Sequence, residues 1–113
     1  MNLSQIPFST VNWSDIERTE HPGERGVAYW RTQCFGSEDN RIRVRMVEYS
    51  AGYIADHWCE KGHILLVLQG ELRTELADGR TFTLSSGMSY QVADHTEAHR
   101  SQTESGALLF IVD

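Results

Sequence analysis

An antiparallel all-β barrel or sandwich is the fold class that this sequence predicts, on three observations. Turn-forming clusters recur about every ten residues, the spacing of short strands joined by tight loops. The segments between them alternate apolar and polar positions and are enriched in aromatic and β-branched residues. No stretch spaces its apolar residues at a helical period over a useful length. The chain's 113 residues, 40% hydrophobic and 23% charged, suit one domain with one core.

Taken in order, residues 1–25 form an N-terminal arm and loop, and residues 26–113 form the barrel. Ile6, Phe8, Val11 and Trp13 are apolar without a helical period, and Asn12-Trp13-Ser14-Asp15 offers a cap or turn. This arm packs on the barrel or on a partner subunit. Ile16 to Arg25 is polar and contains His21-Pro22-Gly23, a turn signal, so it reads as a surface loop with His21 in solvent.

From Gly26 the alternation of Val27, Tyr29, Arg31 and Gln33 with Ala28, Trp30, Thr32 and Cys34 predicts a strand. Residues 36–40 are a polar turn, and Arg41 to Tyr49 alternates again. Its arginines read as a solvated row. The apolar positions then switch from Ile42, Val44 and Met46 to Val47 and Tyr49, and a bulge at that switch would instead turn Arg45 inward. Further strands are expected at Leu72 to Leu76, Thr81 to Leu84, Met88 to Val92, His99 to Ser101 and Ala107 to Val112. The Asp78-Gly79 pair signals a hairpin turn between the first two.

Composition narrows the function. A formal net charge of -6 disfavours nucleic acid and anionic membrane surfaces as partners, since both need surplus Lys and Arg. No apolar segment approaches the roughly 20 residues of a bilayer span, and the first residues lack the layout of a secretory signal. The expected setting is cytoplasmic, and the expected partner is a small-molecule ligand or substrate. Cys34 and Cys59 are then two reduced thiols, Cys34 packing as a small hydrophobe.

The stretch richest in chemistry is Asp56-His57-Trp58-Cys59-Glu60-Lys61-Gly62-His63, followed by an apolar run to Leu68. On an extended strand His57 and Cys59 project to one side. A turn at Lys61-Gly62 would fold His63 back towards them. Asp56, on the opposite face of such a strand, would be out of direct reach of His57.

These residues resemble the first motif of the cupins, which runs Gly, five residues, His-x-His, three or four residues, Glu, six residues, Gly. Here Gly52 is followed by four residues, then His57-Trp58-Cys59, three residues, His63, six residues and Gly70. Cys59 stands in place of the second His, and His63 in place of the Glu. After Gly87 the second motif is looser, with Ala93 and His95 at its Pro and Gly positions, His99 one residue late and Thr103 in place of Asn. The resemblance spans about residues 41 to 113, and Asp56-His57-Trp58-Cys59 is closest to a subgroup named for an Asp-His-Cys-Trp (DHCW) motif. It implies a single-domain, cupin-type jelly roll with a metal site inside the barrel, and pairing into a homodimer through N-terminal strands.

The implied ligand set is His57, Cys59, His63 and His99, with His95 in reserve. Such donors suit one divalent transition metal ion, zinc first, with iron, nickel or copper as alternatives. The competing reading has His57 and His63 satisfying core hydrogen bonds while Cys59 packs as a hydrophobe. Glu97 shares the parity of His99 and could accept a proton or a hydrogen bond, and Tyr53, Trp58 and Tyr90 are candidate pocket walls. Two functions follow. An open three-His site fits a dioxygenase-like or isomerase-like enzyme acting on a small polar organic molecule. A closed site of three His and one Cys fits a non-catalytic module that binds metal or a small ligand.

Overall fold

Residues 16–25 are not all loop: Thr19–Pro22 form strand β1, which pairs antiparallel with β2 (Val27–Phe35) through Thr19↔Trp30 to Pro22↔Val27. The computed structural model describes residues 2–113. β1 lies at the sheet edge, where a proline's missing N–H costs no ladder bond. His21 is half-buried rather than in solvent, its ring stacked on Trp30 at 3.8 Å between centroids.

β2 and β3 (Ile42–Tyr49) form the hairpin expected from their alternation, paired without interruption from Ala28↔Tyr49 to Phe35↔Ile42. The remaining strands are β4 (His63–Leu76), β5 (Thr81–Ser85), β6 (Ser89–Val92), β7 (His99–Gln102) and β8 (Ala107–Val112). The main order is β1-β2-β3-β8-β4-β5, with β6 and β7 also on β4. β4 is the hinge of the barrel. Its first half pairs with β6 and β8, and its second half pairs with β5 and β7.

A register shift between Val67 and Gln69 lets one 14-residue strand serve both sheets, where the sequence pattern indicated two segments. Gly70 follows at φ +80, and a Cβ there would lie 2.1 Å from the Gly106 carbonyl oxygen. Only glycine fits that crossing.

Leu65, Val67, Leu72, Leu109 and Val47 are the most deeply buried large side chains. On β3 the inward residues continue in strict alternation from Val47 back through Arg45 and Arg43, so no bulge is needed to bury Arg45. The expected solvated row of arginines is corrected accordingly: Arg45 is 6% exposed. The arm docks on the sheet, with the Trp13 ring edge-on to Phe110 of β8 at 6.4 Å and Arg31 of β2 donating to the Ile16 carbonyl. Phe8 is 95% exposed. No helix among the described residues is long and apolar enough to cross a membrane.

Candidate metal centre

The segment before His63 is a loop rather than the first strand of a hairpin. Within residues 56–62 the one isolated bridge is to β7, Cys59 N–H donating to the His99 carbonyl at 2.7 Å and His99 N–H donating to the Cys59 carbonyl at 3.0 Å. A directly opposed, doubly bonded pair of this kind projects both side chains to the same face. The loop is returned to β4 at Gly62, whose N–H donates to the Asp94 carboxylate at 2.6 Å. A Cβ on Gly62 would meet the Asp94 backbone nitrogen at 2.6 Å, so the docking requires glycine. This contact, in place of a Lys61-Gly62 hairpin turn, delivers His63.

His63 opens β4 opposite Val92, which makes Tyr90 its diagonal neighbour on the inner face. The Tyr90 hydroxyl and His63 Nε2 are hydrogen-bonded at 2.9 Å. One nitrogen each from His63 and His99 and the Cys59 sulfur all lie within 4.8 Å of one another. His63 Nδ1 and His99 Nε2 are buried with no hydrogen-bond partner, although His63 Nδ1 faces Asp113 at 3.8 Å, beyond hydrogen-bond range. His99 Nδ1 donates to the Glu97 carbonyl at 3.1 Å, which fixes the tautomer that leaves Nε2 with a free lone pair.

The surroundings shift each of these three groups from its ordinary range. The neighbouring His99 imidazole holds the Cys59 thiol below its ordinary range, and the thiol in turn raises His99. Burial pushes His63 down, more than the nearby Asp113 raises it, and so favours its neutral, metal-competent form. A thiol that gives up its proton readily, beside an imidazole nitrogen with a free lone pair, can exchange that proton for a metal ion.

Three of the four sequence-derived ligands are thus brought together, and His57 is not among them. Its side chain is 74% exposed, on the same cavity wall, with Nδ1 2.6 Å from Asp56 Oδ1. The expectation that Asp56 is out of its reach fails because residues 56–58 are not a regular strand. His95 is exposed at φ +57 and anchors the loop through its N–H to the Glu60 carbonyl at 2.9 Å. Glu97 serves His99 through its backbone oxygen, while its carboxylate pairs with Arg80 at 2.6 Å. Tyr53 and Tyr90 line the cavity and Trp58 does not.

That cavity has a volume of about 620 Å³, within the usual range for small-molecule sites. Cys34, expected to be buried, is an exposed free thiol at its wall, because it shares the parity of Trp30 near the open end of β2. The sequence reading missed Asp113, whose carboxylate accepts from Arg43 Nε at 2.8 Å and from Arg45 Nη2 at 3.0 Å. The signal was available: Asp113 continues the inward alternation of Ala107, Leu109 and Ile111. Burial opposes ionisation of Asp113, but His63 and the two arginines outweigh it and hold the carboxyl well below its usual range.

No protein-family model and no curated protein sequence matches the chain. Solved structures match its fold. A predicted oxalate decarboxylase from Thermotoga maritima superposes with a TM-score of 0.75 at 16% identity, over 92% of this chain and 96% of that one. An RmlC-like cupin from Shewanella frigidimarina gives 0.65 at 18% identity, over 96% and 91%. A sugar phosphate isomerase from a cupin superfamily of Silicibacter pomeroyi gives 0.68 at 16%, over 92% and 74%. The chain therefore has an all-β cupin fold, a scaffold that hosts many chemistries.

Proposed function

We propose that this chain is a metal-binding cupin in which Cys59, His63 and His99 hold one divalent transition metal ion, zinc foremost, and that it acts as an enzyme on a small polar organic molecule. The observation that carries this reading is the convergence of one sulfur and two imidazoles within 4.8 Å, with a buried, unpartnered nitrogen on each imidazole. The donor set fits the group: nitrogen and sulfur donors suit zinc, iron, nickel or copper and are poor for magnesium or calcium. Bound there, the ion would supply a Lewis acid or an oxygen-binding centre. With only three protein donors, a tetrahedral ion held here would keep a further position for water or substrate, as catalytic rather than structural sites do.

The chain's own residues divide the remaining work. Glu97 orients His99 through its carbonyl, and Tyr90 orients His63 through its hydroxyl. The cavity walls select the substrate. Decarboxylase and isomerase chemistries belong to structural relatives and support only the broad class of small polar organic substrates. The run Asp56-His57-Trp58-Cys59, its last two residues in the reverse order, supports a place beside the Asp-His-Cys-Trp cupin subgroup, and a reducing compartment such as the cytoplasm would keep its thiols available. A second reading, a closed non-catalytic site, is favoured by the position of His57, two residues from Cys59 on the same wall and held only by an exposed aspartate.

Elemental analysis of untagged protein tests the proposal. Close to one transition metal per chain is expected, and protein that stays empty after incubation with zinc, iron and nickel would overturn it.

A further inference from the structure

The cavity beside the metal-ligand cluster gathers charge of one sign against the trend of the chain. Overall there are 16 acidic and 10 basic residues. Yet Arg41, Arg43, Arg45 and Lys61 line this cavity, and among the described residues Asp113 is the one carboxylate in its wall. Arg41 and Lys61 are exposed and screened by water. Arg43 and Arg45 are less accessible, and they share a single counter-ion. Arg43 takes both oxygens of Asp113, at 2.8 and 3.0 Å, and Arg45 has one bond, from Nη2 at 3.0 Å to an oxygen already used.

Arg45 is therefore undercompensated where compensation matters most. Its side chain is 7% exposed, its Nε has no hydrogen-bond partner, and the Trp30 ring stacks over its guanidinium at 4.4 Å, holding the group in place. A buried cation is costly unless paired and hydrogen-bonded. Two guanidinium groups against one carboxylate leave one positive charge unmatched in this wall. A divalent ion bound by one thiolate would leave another, so loading the metal does not remove the deficit.

We infer that the cavity recognises a small organic carboxylate, whose charged end pairs with Arg45 beside Asp113 and whose body lies against the aromatic wall next to Cys59, His63 and His99. The one charge left unmatched at Arg45 calls for one carboxylate end there, and a planar carboxylate suits guanidinium donors. Trp30 and Tyr90 give the apolar surface that an organic body needs and an inorganic anion does not. This deepens the metal-cupin reading and rests on it for the place of the reacting group, while the anion preference itself is a separate property of Arg45.

The test is calorimetric titration of the full chain, loaded with zinc and assayed for zinc in the same sample, with benzoate, pyruvate, benzamide and inorganic phosphate. Benzoate and pyruvate are expected to bind about ten-fold or more tighter than benzamide, and to weaken as salt rises. Arg45→Met should lower benzoate affinity about ten-fold with zinc content unchanged. Because that variant leaves Asp113 paired with Arg43 alone and so shifts the charge of the wall, the pair Arg45→Met with Asp113→Asn removes both charges and should show the same loss. Equal binding of benzamide and benzoate, phosphate binding tighter than either carboxylate, or benzoate binding indifferent to Arg45 would each overturn the inference. So would benzoate binding that vanishes on chelation and ignores Arg45, which is ligation to zinc alone. A protein that takes up no zinc yet binds benzoate through Arg45 would defeat the metal reading and leave this one standing.

Discussion

A thiolate among imidazoles changes what the site can do with an ion. Sulfur places negative charge on the metal and makes a bound water harder to ionise than three neutral imidazoles would, which disfavours hydrolysis. Cys59→Ser should lose most of the metal, because a neutral hydroxyl is a poor donor to zinc. In the cobalt-substituted protein the intense near-ultraviolet thiolate band should be present for Cys59 and absent for Ser; a variant that keeps its metal would remove sulfur from the ligand set. His57→Ala separates the open from the closed site. Retention of metal, against its release in His63→Ala and His99→Ala, is the outcome expected from the exposed position of His57. Release equal to that of His99→Ala would instead mean that His57 turns inward on binding. Asp113 carries a third prediction. It is buried between Arg43 and Arg45, so Asp113→Asn should cost about 3–5 kcal/mol in urea unfolding at neutral pH, the range for breaking a buried pair. The carboxyl is held below its unfolded value, near 3.9, so its contribution is whole at neutral pH. It fades as pH falls below about 4, where the unfolded chain takes up the proton first. The gap between Asp113→Asn and the parent should narrow over that window. The donor types and their spacing made Cys59, His63 and His99 legible in the sequence. Asp113 was not, and Arg45 was read inward only as an alternative through a bulge, because a charged residue in an alternating strand reads as solvent-facing unless its partner across the sheet is known.

Strands β2 and β8 were legible because each keeps one alternation from end to end, and β3 was legible as a strand although its apolar positions change parity after Met46. β4 was not, since its inward set moves from Leu65 and Val67 to Leu72 and Thr74 across the register shift, which a period-two pattern records as a break. β1 was missed for another reason: its residues are polar, and only pairing with β2 makes them a strand. The β4 account can be tested at its bend. Gly70→Ala adds a methyl 2.1 Å from a carbonyl oxygen at a backbone angle that L-residues avoid, the angle alone costing about 1–2 kcal/mol. Urea unfolding should show at least that loss, whereas Gly79→Ala, in the open turn before β5, meets nothing within 4 Å and should show only the backbone cost. Equal losses at the two sites would mean that the crossing beside Gly106 is not tight.

Across the whole molecule the most exposed large apolar side chains lie in the arm, where Phe8 is 95% and Leu3 66% exposed although Trp13 is docked on β8. A second copy of this chain is the occupant expected there, since paired arms would cover both sets at once. Light scattering at micromolar concentration should give the mass of a dimer, and Phe8→Asp should return the monomer; a monomeric parent would reject this. The sheet order has a further consequence, for the time at which the molecule comes into being. β8 lies between β3 and β4, so its residues 107–112 complete a pairing that strands made much earlier have been waiting for. Until they emerge from the ribosome, the nascent chain carries two open strand edges, each a template for adhesion to another chain. Any reliance on chaperones should therefore end abruptly, once that single strand has emerged and paired.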